Sequence, residues 1–472
     1  MKRINDLGLA GWSAVFFLSV FASCGVQKDR WGQGRWRVGG YRSDKTLFLN
    51  LLDTNDERYS LEEKLKHNTK VFSMALMKKN GILIVPVGTF RINGGFHLRS
   101  SLFLCGISKN ESIIEFMPEN DEKYFIHIES PAKFSVSALT INNLGSKSYY
   151  DTKQNRYVPL TNLKANTTSI YIERASDVQI TDCQFVGGHY GLEISNAKAK
   201  EKGAILVYHC IFQNQAASSI RIKNSQFIQI ESNFFLNSGA DGLKTNKGTA
   251  NLVISKNISK MCGRDGYDFY DGLVKSIVSE NIATENFFHG YDMKGNPDSV
   301  GNYVFHDNIF SDNLASNNGY YGFSLQNVRN ITMNSNKALL NGKSGYLFNN
   351  VQDCNFNALS ASKNREHGFL LKEISRSIFS NSIAVDNNYK RCYTEKNPNY
   401  SGFYFEAKAD GLTINSCQAG NGISRNAKGN QVYGAYFDDG SVNNKFINCD
   451  FSNNIGGGEK GYGGAFHSQN IN

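Results

Sequence analysis

Ten glycines, each followed by an aromatic or aliphatic residue, recur along the C-terminal two-thirds of this 472-residue chain: Gly191, Gly242, Gly266, Gly290, Gly322, Gly345, Gly368, Gly402, Gly434 and Gly464, with Ser219 standing in for one more. The shortest steps are 23 or 24 residues. A period in that range belongs to solenoids, whose repeats bury their apolar faces only against neighbouring repeats. After each glycine, position +1 reads Leu192, Ile220, Leu243, Tyr267, Tyr291, Phe323, Tyr346, Phe369 and Phe403, and position +3 reads Ile194, Ile222, Thr245, Phe269, Met293, Leu325, Phe348, Leu371 and Phe405. Apolar residues at period two form strands. Further strands carry Cys-x-Phe or Cys-x-Ala steps at Cys183, Cys354, Cys417 and Cys449, and Asn-rich bends follow at Asn237, Asn286, Asn341 and Asn364. Several short strands per repeat predict an all-β fold, a right-handed parallel β-helix. The Leu-x-x-Leu-x-Leu frame of leucine-rich repeats is absent. A solenoid lengthens without thickening its core, so the whole body is read as one domain.

The N-terminus reads as an address. Lys2 and Arg3 precede an apolar run that ends at Phe21-Ala22-Ser23-Cys24-Gly25, too short to span a bilayer comfortably. Small residues before a cysteine resemble a bacterial lipobox, which implies a signal peptide over 1–23 and lipidation of Cys24; ordinary secretory cleavage near Ser23 is the alternative. Either route leads to the cell envelope or beyond. Residues 24–59 are polar and basic and are expected to be a tether. Oxidising surroundings permit disulfides, yet a repeating Cys column predicts free core thiols, with Cys262 and Cys392 outside it. Ser60-Leu61-Glu62-Glu63 is a capping box opening a helix with Leu65, Phe72, Leu76 and Met77 as its apolar stripe. A helix there covers the open end of the solenoid, whose edge strands would otherwise pair with other chains.

The helix is followed by Ile84-Val85-Pro86-Val87-Gly88-Thr89-Phe90 and then by Leu102-Phe103-Leu104-Cys105-Gly106. This opening resembles that of the pectate-lyase superfamily, and the resemblance covers residues 60–472. It implies the β-helix fold with an N-terminal capping helix. The superfamily's scaffold hosts lyases, hydrolases, epimerases and non-catalytic proteins, so function must come from particular side chains.

Those side chains stand in the outward columns. Position +2 reads Glu193, Arg221, Lys244, Asp268, Asp292, Ser324, Leu347, Leu370, Tyr404 and Tyr436, and position +4 includes Ser195, Lys223, Asn246, Tyr270, Lys294 and Gln326. Coils about 4.8 Å apart set Asp268 beside Asp292, and such a pair needs a cation, a proton or a basic neighbour. Three readings are open: a salt-bridge ladder on a solvated sheet; a Ca2+ site of Asp241, Asp265 and Asp268; or that site joined to catalysis.

Asp241-Gly242, then Asp265-Gly266-Tyr267-Asp268, then a coil bearing Lys294 is similar to the calcium-dependent pectate lyases of polysaccharide lyase family 9. The resemblance implies Asp241, Asp265 and Asp268 as calcium ligands and a lysine as base, Lys294 or else Lys244. Arg264 stands where that family doubles its aspartate, and Asp292 where its lysine usually lies. It also implies β-elimination: the cation neutralises a uronate carboxylate, an unprotonated lysine takes the C5 proton, and the bond to the C4 oxygen breaks. Neighbouring cations are expected to keep that lysine neutral. A net charge of +9 and Arg221, Lys223, Asp292 and Tyr270 nearby suit an acidic polysaccharide partner, with Tyr320, Tyr404 and Tyr436 as further ring-stacking candidates. The alternatives are a non-catalytic glycan-binding surface lipoprotein, a uronan C5-epimerase or a glycoside hydrolase. Export and the acidic cluster argue against nucleic acid, and a monomer is expected. The address makes a direct prediction: Cys24→Ser releases the protein from membranes into the soluble fraction, as fractionation and immunoblotting will show.

Overall fold

In the computed structural model, residues 46–454 are described apart from 78–80, 119–121, 130–132, 161–165, 198–204, 297–302, 389–399, 407, 421–430, 438–441 and 453, together with the backbone at 27–28, 34–35, 459–461 and 466–471. Cys24, Cys392 and Gly464 lie outside them. The repeat winds as a parallel β-helix with three strand-bearing faces. On the first face Leu192–Ser195, Ile220–Lys223, Leu243–Asn246, Tyr267–Tyr270, Tyr291–Lys294 and the start of Phe323–Asn334 pair in parallel and in register. Another face is a 13-stranded sheet running from Gly88–Asn93 to Gln418–Gly420.

The glycines recur because coils approach most closely there. A Cβ on Gly242, Gly266, Gly290, Gly322, Gly345, Gly368 or Gly402 would meet the carbonyl oxygen of the next glycine in the column at 2.6–2.8 Å. Beside them the +1 residues stack as an aromatic ladder. Tyr267, Tyr291, Phe323, Tyr346, Phe369 and Phe403 follow one another with ring centroids 4.5–4.9 Å apart, all fully buried. Offset stacking at that spacing adds to the burial of large apolar area.

The asparagines stand at corners between strands, and most of them are buried there. Asn286, Asn341 and Asn364 are buried in a ladder with Asn318 and Asn387, while Asn233, Asn257, Asn281, Asn313 and Asn336 form a second one. Each rung works the same way. The Asn257 backbone N–H and Nδ2 both donate to Asn281 Oδ1 at 2.9 Å, and Nδ2 also donates to the Ile230 carbonyl at 2.8 Å. The side chains thereby satisfy backbone groups at corners that no strand ladder reaches. Of the four expected bend residues only Asn237 is a left-handed turn, with φ 58°.

Other expectations shift. Cys183 and Cys417 precede strands of the 13-stranded sheet, whereas Cys354 belongs to a different corner, where it takes a hydrogen bond from the Ile331 N–H. All seven described cysteines are free. Thr46–Phe48 pairs with Gly81–Val85, and Leu49 and Leu51 enter the core. The body thus includes part of the stretch expected as tether, because its Leu-rich run has apolar surface to bury. The helix, α1 (Leu61–Leu76), keeps its capping box on Ser60 and Glu63. Its covered side is Lys64, Asn68, Phe72, Ala75 and Leu76, while Met77 is 76% exposed and Leu65 only half-buried. Phe72 packs on Phe96 and Phe125 at the first coils, and Lys64 Nζ and Asn68 are spent on the Thr54 and Leu52 carbonyls. Leu347, Leu370, Tyr404 and Tyr436 point outward yet are buried, in a small apolar cluster of their own with Tyr321 and Tyr433 packed against it. The two tyrosines are therefore not free stacking surfaces for a sugar.

Replacing Asn281 with Ala leaves the Asn257 N–H, the Ile254 carbonyl and Asn313 Oδ1 short of partners. Denaturant titration is expected to show a loss of about 2–4 kcal/mol.

Candidate functional site

The register of the first face brings the acidic residues together. Lys244 lies opposite Asp268, Asp268 opposite Asp292, and Tyr270 opposite Lys294. Asp241 and Asp265 stand one residue before their glycines, in a column whose side chains bind along the helix axis. Asp241 Oδ1 accepts the Asp265 N–H at 3.3 Å, Asp265 Oδ1 accepts the His289 N–H at 2.8 Å, and His289 Nδ1 accepts the Tyr321 N–H at 3.3 Å. Each carboxylate thus gives one oxygen to the fold. The others face the cluster.

All four carboxylates are almost wholly buried: Asp241 and Asp265 are 1% exposed, Asp268 and Asp292 2%. Ligand atoms of Asp241, Asp265 and Asp268 lie within 4.8 Å of one another, as do those of Asp265, His289 and Asp292. Lys244 Nζ bridges Asp268 and Asp241, and Lys294 Nζ pairs with Asp292. Two oxygens are left over. Asp268 Oδ1 and Asp292 Oδ1 are buried with no hydrogen-bond partner, and a buried carboxylate oxygen without a partner is costly.

The electrostatics record that cost. Burial first, then Asp241, Asp292 and Asp268, push the Asp265 carboxyl well above its ordinary value. Burial and Asp241 raise Asp268 to about 6 even against Lys244. Burial opposes the charge on Lys244, but Asp241 and Asp268 outweigh it and raise its pKa. Asp292 does the same for Lys294. The expectation that neighbouring cations keep the lysine neutral therefore fails in this arrangement, because the groups closest to each ammonium are carboxylates. Arg264 also feels all four carboxylates, which raise its pKa against burial. It places a positive charge beside the cluster.

Arg221 lies one coil below Lys244 and is held by Tyr190 Oη at 3.0 Å, Asn246 Oδ1 at 3.2 Å and Glu193 at 3.7 Å. Lys223 is exposed two residues on. Neither joins the carboxylate cluster. Tyr270 is 40% exposed with Lys244 Nζ 5.3 Å from its ring centre. An antiparallel hairpin, Ser148–Asp151 with Arg156–Pro159, lies against the corner that leads into these strands: Arg156 reaches the Gly263 carbonyl and sits 4.9 Å from the Phe287 ring centre. His289 was not among the site residues expected from the sequence. His289 carried a signal, since it holds the same place before glycine as Asp241 and Asp265.

A family model described as right handed beta helix region matches residues 126–307, and one described as periplasmic copper-binding protein (NosD) matches residues 270–456. No curated protein matches the sequence. Among solved structures, the Dettilon tailspike protein is 12% identical at a TM-score of 0.52, over 88% of this chain and 68% of that one. The pre-mature bacteriophage phi29 gene product 12 is 12% identical at 0.56, over 95% and 59%. The catalytic domain of GH87 alpha-1,3-glucanase, in complex with nigerose, is 11% identical at 0.50, over 70% and 64%. At these identities the likeness is one of fold: a right-handed β-helix. No described helix is long and apolar enough to cross a membrane.

Because burial and Asp241 raise the Asp268 carboxyl from the ordinary 3.8 to about 6, the fold holds this proton more tightly than the unfolded chain does. Its contribution to stability is full below the ordinary value and is lost as pH rises through 6. A divalent cation, added during thermal melts, is expected to raise the melting temperature at neutral pH and to do little below the ordinary carboxylate range, where protons already neutralise the cluster.

Proposed function

We propose that the first face binds a hard divalent cation, calcium, at Asp241, Asp265 and Asp268, and that the chain is a lyase for an acidic, uronate-containing glycan. The observation that carries this reading is the pair of buried, unpartnered oxygens on Asp268 and Asp292 among four carboxylates. An all-oxygen donor set suits calcium, and softer thiolate or imidazole sets suit copper. The copper-binding description of the NosD model therefore does not carry over to these three residues. The resemblance to polysaccharide lyase family 9 supports the same three ligands.

When bound, the cation supplies charge neutralisation of a uronate carboxylate, which eases loss of the C5 proton. This chain's residues divide the remaining work. Lys244 shares both its carboxylate partners, Asp241 and Asp268, with the proposed cation site. Losing them to a cation removes what raises its pKa and leaves burial to lower it, so Lys244 fits the base role better than Lys294. Lys294 keeps Asp292 and stays a cation able to pair with a neighbouring uronate. Arg221 and Lys223 extend the positive surface along the polymer, and Tyr270 offers an exposed ring beside Lys244. A lipid anchor at Cys24 would hold this activity in the bacterial envelope.

A non-catalytic binder is the second reading, favoured by the raised pKa of both lysines. One experiment separates the two. Ultraviolet absorbance of an unsaturated uronate is followed while the protein is incubated with pectate, alginate and other acidic polysaccharides, with and without calcium. A lyase gives a calcium-dependent rise, Asp268→Asn weakens calcium binding about tenfold or more, and Lys244→Ala lowers the rate by about 10²-fold or more. No rise on any polymer, with glycan binding intact, leaves the binder.

A further inference from the structure

His289 lies beside the carboxylates with one ring nitrogen in reach of Asp265 and Asp292, which invites reading it as a metal ligand. Its hydrogen bonding says otherwise. Nδ1 accepts the backbone N–H of Tyr321 at 3.3 Å, so the Nδ1 lone pair is occupied. In a neutral imidazole the proton then sits on Nε2. Neither nitrogen offers a free lone pair to a cation. The ring is also fixed in place: it stacks on Tyr321 with centroids 5.4 Å apart and planes 6° from parallel, and meets the edge of Tyr320. Among the described residues, Nε2 has no hydrogen-bond partner of its own.

The fold contains an internal comparison. His367 occupies the same place before Gly368, its Nδ1 accepts the Ser401 N–H at 3.0 Å, and its ring stacks on Tyr404. A histidine at this position is thus a column residue that satisfies the next coil's backbone through Nδ1. What distinguishes His289 is its company, because one of its ring nitrogens lies within 4.8 Å of ligand atoms of Asp265 and Asp292.

We propose that His289 is a neutral N–H donor to the acidic ligand of this site, through Nε2, and is not a ligand of the cation. This rests on the reading of the site as a binder of uronate glycans. The donor adds a directional contact to a carboxylate or hydroxyl oxygen that the cation, a point charge, cannot provide. It also confines the cation to the three oxygen donors Asp241, Asp265 and Asp268.

The test uses the full chain labelled with 15N in its imidazoles. Ring 15N shifts of His289, assigned by comparison with His289→Asn, are expected to show a protonated Nε2 and an acceptor Nδ1 before and after saturation with calcium. Asn at 289 retains a side-chain oxygen for the Tyr321 N–H, as Asp241 and Asp265 do for their neighbours, and circular dichroism verifies that the variant is folded. Calorimetry is expected to find its calcium affinity within about twofold of the parent and its affinity for galacturonate or mannuronate oligomers lower by about tenfold or more, the loss of one hydrogen bond to a charged group. Loss of the Nε2 proton on adding calcium, or a tenfold drop in calcium affinity in His289→Asn, makes His289 a ligand and overturns the proposal. So does unchanged oligomer affinity in the variant. Failure of the parent protein to bind any oligomer sinks the glycan reading instead, and the donor role with it, while the ring shifts and calcium titration still decide whether His289 is a ligand.

Discussion

Stacking in register governs this molecule. Each coil meets the next with like positions opposite one another, so any residue type placed in a column acquires a neighbour of the same position about 4.8 Å away. For aromatic residues this spacing gives ring stacking along Tyr267, Tyr291 and Phe323. For asparagine it gives an unbroken chain of amide bonds. For aspartate it gives repulsion, and Asp268 opposite Asp292 is the place where the fold accepts it.

Acceptance is local and incomplete. Lys244 and Lys294 each bind one oxygen of their partner, and Arg264 adds a more distant charge. Two carboxylate oxygens still go without. A solvated salt-bridge ladder would leave such oxygens to water, but these residues are 2% exposed. Burial is what separates the cluster from ordinary surface charge, and it is the cost that a proton or the proposed cation would relieve.

The alternating columns were legible in the sequence because period two exposes them: +1 and +3 face inward, and the pairing of Asp268 with Asp292 and of Tyr270 with Lys294 follows from the glycine spacing. What could not be read were contacts made between coils and the cover over outward columns. Asn286 and Asn341 looked like bends because asparagine is common in turns, and their inward direction depends on a neighbouring coil. Leu347 and Tyr404 occupy an outward column yet are covered, which no alternation reveals. Asp241 and Asp265 were found through their motif, but their second task, accepting a backbone N–H from the next coil, was hidden, and so was His289, which performs the same task with a nitrogen.

The asparagine ladders have a bearing on how the chain assembles. Each rung uses its backbone N–H and amide toward the following coil and its amide again toward the preceding one. A lone coil therefore has all of these corner bonds open, and a pair of coils is the smallest unit in which any of them closes. Growth by addition to an existing end closes one rung per ladder at each step, whereas starting a new stack elsewhere must leave rungs open on both sides. Such a chain is expected to zip from a single nucleus, and the aromatic and asparagine columns between Tyr267 and Asn341, where both ladders run side by side, are the natural place for it to begin.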